Sequence, residues 1–96
     1  MARSGAVAFT RQPEGGEAVI GIPHVLAAYA PTAVRYQWRK DGVPIPNATG
    51  RELVITDQVE SHGTYDVVAF IDNANYTVSQ PAYAAVFHTG TVLYLQ

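Results

Sequence analysis

The chain has no cysteine among its 96 residues. Disulfide scaffolds, zinc ribbons, iron–sulfur sites and thiol catalysis are therefore excluded. The compartment stays open, because a core of sufficient size needs no disulfide. Long apolar runs are also missing. No stretch reaches the roughly 18 apolar residues of a membrane helix. The opening MARSGAVAFTRQPEGG holds a short apolar patch but no sustained secretory h-region. Two expectations follow: a chain made and used without Sec export, which Met1 favours as a small reading frame, or a segment cut from a longer protein. Basic charge is scarce and scattered: 6 Lys and Arg stand against 8 Asp and Glu, a formal net charge of −2. An electrostatic grip on phosphates needs clustered Lys and Arg, so nucleic acid is not expected as a partner. Charged residues make up 15% of the chain and apolar residues 48%, which argues against disorder and for one small packed core.

Val, Ile, Thr, Tyr and Phe recur in short runs separated by Gly, Pro, Asn and Asp, the punctuation of strands and turns. AVAFTRQ, ending at Pro13, is expected as a first strand. EAVIGI is expected as a second, extended past Pro23 by HVLAAYA. VRYQWRK alternates, with Val34, Tyr36 and Trp38 on one face and Arg35, Gln37 and Arg39 on the other. KDG reads as a tight turn, and VPIPNATG, with its prolines, as an edge segment and a loop. RELVITD places Leu53 and Ile55 on one face. TYDVVAFID turns Tyr65, Val67 and Ala69 inward and Val68 and Phe70 outward. DNAN is a hairpin turn. YTVSQPAYAAVF is a strand broken at Pro81, and TVLYLQ is one more strand. Turns every 8–12 residues or so imply a sandwich or barrel.

The run YQWRKDGVPIPNATGRELVITDQVESHGTYDVVAFIDNA resembles the immunoglobulin-like, I-set-like domains of bacterial and phage surface proteins. There a strand carrying YQW enters a KDG turn, followed by a proline-containing edge, an L-x-I strand and a G-x-Y corner. The likeness covers about residues 8–87. It implies an all-β antiparallel sandwich of about seven strands, with residues 88–96 as an additional C-terminal strand of a single domain spanning 1–96. It also implies that Trp38 is the core tryptophan and that Tyr65 is the corner tyrosine, whose hydroxyl bonds backbone a few residues upstream. Val67 stands where the family often has its second cysteine, so Trp38 is expected to pack on Val67. The expected core is thus Trp38, Tyr65, Val67, Leu53 and Ile55. Ser61 departs from the family, which often has an aspartate at that point of the corner.

Glu60, Ser61 and His62 are an acid, a hydroxyl and an imidazole in a row. A triad needs convergence in space rather than adjacency in sequence, and no nucleophile elbow frames Ser61. No catalytic residue is assigned, and the chain is expected not to be an enzyme. His24, His62 and His88 lack ligand spacing. Asp41, Asp57, Glu60, Asp66 and Asp72 lack calcium-loop spacing. No metal or cofactor is expected. The GGE at 15–17 lacks the lysine of a phosphate loop, and the sequons at Asn47 and Asn75 read as turn residues.

Two features point to a partner. Outward Val68 and Phe70 beside Arg35, Gln37 and Arg39 have the composition of an interface. Val92, Leu93, Tyr94 and Leu95 are apolar on both faces of a strand, which implies burial on both. The expected function is a non-enzymatic attachment protein, an immunoglobulin-like decoration subunit on a phage head or tail that binds coat proteins at the virion surface. The alternative is an adhesion or carbohydrate-binding module of a bacterial cell-surface protein. Protein partners are expected in both cases, viral capsid or tail proteins or neighbouring immunoglobulin-like domains, with host-surface carbohydrate as a further candidate and no insertion into a membrane.

Overall fold

A computed structural model describes residues 7–19 and 21–87. The elements run β1 (Gly16–Val19), β2 (His24–Ala27), β3 (Arg35–Lys40), β4 (Val43–Pro44), β5 (Glu52–Ile55), a 3-10 turn (Val59–Ser61), β6 (Gly63–Asp72), β7 (Asn75–Val78) and β8 (Ala82–Phe87). Among the described residues they form two sheets. The larger has the order β1-β8-β6-β3-β4, with β7 also paired to β6; the smaller is β2-β5. All pairings are antiparallel except β1 with β8.

Period-two alternation builds the core. Tyr36 and Trp38 of β3, Tyr65, Val67 and Ala69 of β6, and Ala82, Ala84 and Val86 of β8 turn inward from the larger sheet. Leu26 of β2 and Ile55 of β5 meet them from the smaller sheet, with Ala28 and Ala30 beyond β2. Leu53 packs against this cluster half-buried. Trp38 lies opposite Val67 in the β3–β6 register, and both are fully buried. The indole Nε1–H donates to the Gly50 carbonyl at 2.8 Å. Tyr36 Oη accepts from the Ala30 N–H at 3.1 Å and donates to its carbonyl at 3.3 Å. The two inward aromatics of β3 therefore fasten both strands of the smaller sheet, one just after β2 and one just before β5.

Local chemistry sets the turns. Asp41 (φ 51°) and Gly42 (φ 86°) both take positive φ between β3 and β4, the requirement of a two-residue hairpin loop whose twist matches its strands. Asp72 closes the β6–β7 hairpin by accepting from the N–H groups of Ala74 and Asn75 at 2.8 and 2.9 Å. Gly15 lets β1 approach β8: a Cβ there would stand 2.4 Å from the Tyr83 carbonyl oxygen. At the break before Pro81, Ser79 Oγ accepts from the Val67 N–H at 3.0 Å, so that buried donor keeps a partner where the strand ends.

Four expectations change. AVAFTRQ is not a strand in its described part, residues 7–12; only an isolated bridge from Arg11 to Tyr29 forms there. EAVIGI and HVLAAYA are not one strand. Proline cannot donate to a ladder, and the turn before Pro23, closed by reciprocal bonds between Val19 and Ile22, sends β1 to the larger sheet and β2 to the smaller. Val34 precedes β3 and is 71% exposed rather than sharing the inward face of Tyr36 and Trp38. Val68 faces outward but is buried, 7% exposed, because register places it between Gln37 on β3 and Val78 on β7. The expected strand over 88–96, with Val92, Leu93, Tyr94 and Leu95, lies outside the described residues.

Trp38→Ala is expected to lose roughly 3–5 kcal/mol of stability, most of what a small domain has. Urea unfolding that leaves this variant within about 1 kcal/mol of the parent would show that the indole does not hold the sandwich. Acid stability follows from the turns. The Thr64 N–H and then Lys40 hold the Asp41 carboxyl below the usual range, and the Asn75 amide and then the Ala74 N–H do so for Asp72. Carboxylates depressed in the folded chain contribute stability that is present above the unfolded value near pH 4 and is lost as pH falls through the folded values. The melting temperature is expected to hold from about pH 7 to 5 and to drop below that. The double variant Asp41→Asn, Asp72→Asn should show a shallower acid limb, and an unchanged limb would contradict the assignment.

Candidate functional site

The residues expected to face outward on β3 and β6 share one surface, but they do different work. Arg39 and Asp66 stand opposite each other and form a bidentate pair, with Nε to Oδ1 at 2.8 Å and Nη2 to Oδ2 at 2.7 Å. This bond raises the already high pKa of Arg39 and leaves the pair without net charge. Gln37 turns its amide back onto the chain, donating to the carbonyls of Trp38 and Ile45, each at 2.8 Å. It holds the segment after β4. Arg39 and Gln37, both expected at an interface, thus also have bonds within the chain that hold the scaffold.

Arg35 and Phe70 remain. They too are register partners, and the guanidinium lies 3.7 Å above the ring centroid while its Nη2 donates to Asn73 Oδ1 at 2.7 Å. The stack fixes a long side chain and keeps its positive charge at the surface. Tyr76 joins from β7, 5.6 Å from Phe70 between ring centroids and 56% exposed. Val78 lies beside Val68 and is 43% exposed. The result is an aromatic and aliphatic patch with one pinned arginine.

Tyr76 and Val78 escape a reading of the sequence because of a bulge. Counting back from the Asp72–Asn75 closure would set Phe70 beside Thr77. The register shifts between Phe70 and Asp72, and Tyr76 comes opposite Phe70 instead. Asn73, in the loop of the same hairpin, is the other unread contributor. The edge of β7 adds a second feature. Ser79 N–H donates to the Val67 carbonyl at 2.9 Å, so by the alternation of an antiparallel ladder the backbone groups of Tyr76 and Val78 point away from β6. Among the described residues no strand pairs with that side.

The Glu60–Ser61–His62 run has a different use. Ser61 ends the 3-10 turn, and its carbonyl accepts the Tyr65 hydroxyl, the corner bond. Burial, and then the charge of Asp41, raise the pKa of that hydroxyl and keep it protonated to donate. His62 Nδ1 accepts the Val86 N–H at 3.2 Å, so the neutral ring carries its proton on Nε2, 2.5 Å from Tyr83 Oη. Both ring nitrogens serve β8, and neither serves Ser61. No group of three or more metal-ligating side chains occurs among the described residues.

No protein-family model and no curated protein matches the chain. Solved structures do. The D1 domain of Duf (Kirre) is 15% identical with a TM-score of 0.70 over 88% of this chain and 99% of that one. The fold is immunoglobulin-like. Titin M3 is 26% identical with a TM-score of 0.65, covering 84% of this chain and 96% of its own. A chain from the complex of titin M10 with an obscurin-like 1 Ig mutant is 22% identical with a TM-score of 0.64, covering 86% and 94%. Immunoglobulin-like domains commonly mediate protein binding or adhesion.

Tyr65→Phe should keep the fold and lower stability by about 1 kcal/mol, the worth of one hydroxyl bond. Ser61→Ala should change little, because the acceptor is a backbone carbonyl. Equal losses in the two variants would mean that the serine hydroxyl, not the corner bond, matters there.

Proposed function

We propose that the chain is a non-enzymatic protein-binding immunoglobulin-like domain that docks through the outer face of β3, β6 and β7. The observation that carries this reading is the patch of Arg35, Phe70, Tyr76 and Val78 along an edge whose backbone groups face outward. Aromatic residues and arginine are the side chains that dominate binding energy at interfaces, and an edge with no strand beside it among the described residues adds main-chain bonds to an extended partner segment. The titin M10 neighbour was solved in a complex between two proteins, which supports a protein partner of this kind.

In the finer reading the chain is a decoration subunit on a phage head or tail, held on coat proteins by an interface of about 1,200–2,000 Å². A core closed by Trp38 and Val67 without any cysteine supports this, because such a domain folds in the reducing cytosol where particles assemble. A second reading is an adhesion module within a longer bacterial surface protein. The size match to Duf D1 and titin M3, single named domains each covered almost completely, favours it.

Co-sedimentation with heads and tails purified from the phage that carries the gene separates these readings. Binding that Phe70→Asp weakens tenfold or more, with melting unchanged, supports the docking face and the virion role. Saturable binding only to a bacterial surface fraction, again lost in Phe70→Asp, selects the adhesion module. Binding to either that is indifferent to Phe70→Asp and Tyr76→Ala overturns the docking face.

A further inference from the structure

The opposite face of the sandwich holds a hollow of about 420 Å³ lined by Arg11, Ala27, Ala28, Gly50, Arg51 and Glu52. We propose that this hollow binds a carboxylate-bearing pyranose, a uronate or a sialate, independently of the protein-docking face.

The first observation is charge. The ion pairs among the described residues are Arg39 with Asp66 and Lys40 with Asp41, so neither Arg11 nor Arg51 is matched by a carboxylate. Both nevertheless line one concavity. The second is organisation. The Arg51 guanidinium stacks 4.1 Å above the Tyr29 ring centroid, and Arg11 is bridged to Tyr29 through the backbone. A guanidinium held on a ring loses less freedom when it takes up a carboxylate, and arginine matches a carboxylate in a two-pronged geometry.

The rest of the lining narrows the ligand. The Ala28 methyl belongs to the core, so the apolar surface at the hollow comes from the half-buried Ala27 and the partly exposed Tyr29 ring beside it, as a sugar's C–H face requires. Glu52, in register with Ala27, is an acceptor on the same rim. It repels a dianion such as phosphate about twice as strongly as a single carboxylate and takes hydroxyl donors, so the group that fits carries both a carboxylate and hydroxyls. The backbone donors just after β2 are already used here. The Ala28 N–H is used by the Arg51 carbonyl and the Tyr29 N–H by the Arg11 carbonyl, each at 3.0 Å. What remains is side-chain chemistry around a small hollow.

Gly50 provides a steric control. A Cβ added there meets nothing within 4 Å, so a larger side chain can stand at the hollow without disturbing the core. Titration of the isotope-labelled full chain, followed by amide shifts, tests the proposal. D-glucuronate or N-acetylneuraminate should shift the amides of Ala28, Arg51 and Glu52 saturably, with a dissociation constant on the order of 1 mM. The two acids tell uronate from sialate recognition. D-glucose should bind at least tenfold more weakly. Arg51→Gln and Gly50→Leu should each weaken binding tenfold or more, with unchanged melting and unchanged docking through Phe70. No saturable shift by either acid, D-glucose binding as well as the acids, or an acetylated Asp-Asp peptide binding as tightly would each overturn it.

Discussion

The structure depends on two aromatic side chains of one strand. Trp38 and Tyr36 reach inward from β3 and bury their rings between the sheets. Their polar tips then bond backbone on the far side, Nε1–H of Trp38 to Gly50 and Oη of Tyr36 to Ala30. A two-stranded sheet on its own is marginal in water. Here β2 and β5 are held at the ends near Ala30 and Gly50, the first by buried bonds and the second by a partly buried one, and a hydrogen bond strengthens as it leaves water. That constraint does the work a disulfide does in other sandwiches, and it fits the absence of cysteine. It also explains why alanine is common in the core. A domain that buries one indole and two phenol rings needs small neighbours such as Ala18, Ala69 and Ala84 to close around them.

With the inner faces occupied, function falls to the outer ones. On the larger sheet, charge is removed by pairing Arg39 with Asp66, and the Gln37 amide is turned onto carbonyls. What stays available is apolar or aromatic, with one arginine pinned on a ring. On the smaller sheet the opposite holds: two arginines keep their charge around a hollow. The two faces thus differ in chemistry, which suits the separate binding roles proposed for them.

Much of the fold is legible in the sequence because alternation and turn chemistry agree. YQWRK, the KDG turn and the G-x-Y corner each have a local cause, and all lie where they are expected. The failures have physical reasons. Pro23 and its reciprocal turn split one apparent strand between two sheets, a tertiary choice that local pattern does not encode. Val68 points outward but is shielded by its cross-strand neighbours, so facing direction alone did not give exposure. The site was half readable: Arg35 and Phe70 follow from alternation, whereas Tyr76 and Val78 depend on a one-residue bulge. Arg11, Tyr29 and Arg51 are far apart in sequence and meet through the backbone bonds of Ala28 and Tyr29 just after β2, so no spacing announces them.

Amide hydrogen exchange on the full chain, free and bound to whichever partner co-sedimentation identifies, measures the central claim directly. The Tyr76 and Val78 amides face away from β6 and should exchange quickly in the free chain. On binding they are predicted to slow by at least tenfold, while the protected amides of Trp38 and Val67 stay as they were. Slowing confined to β2 and β5, or none at Tyr76 and Val78 under saturating partner, would contradict the account.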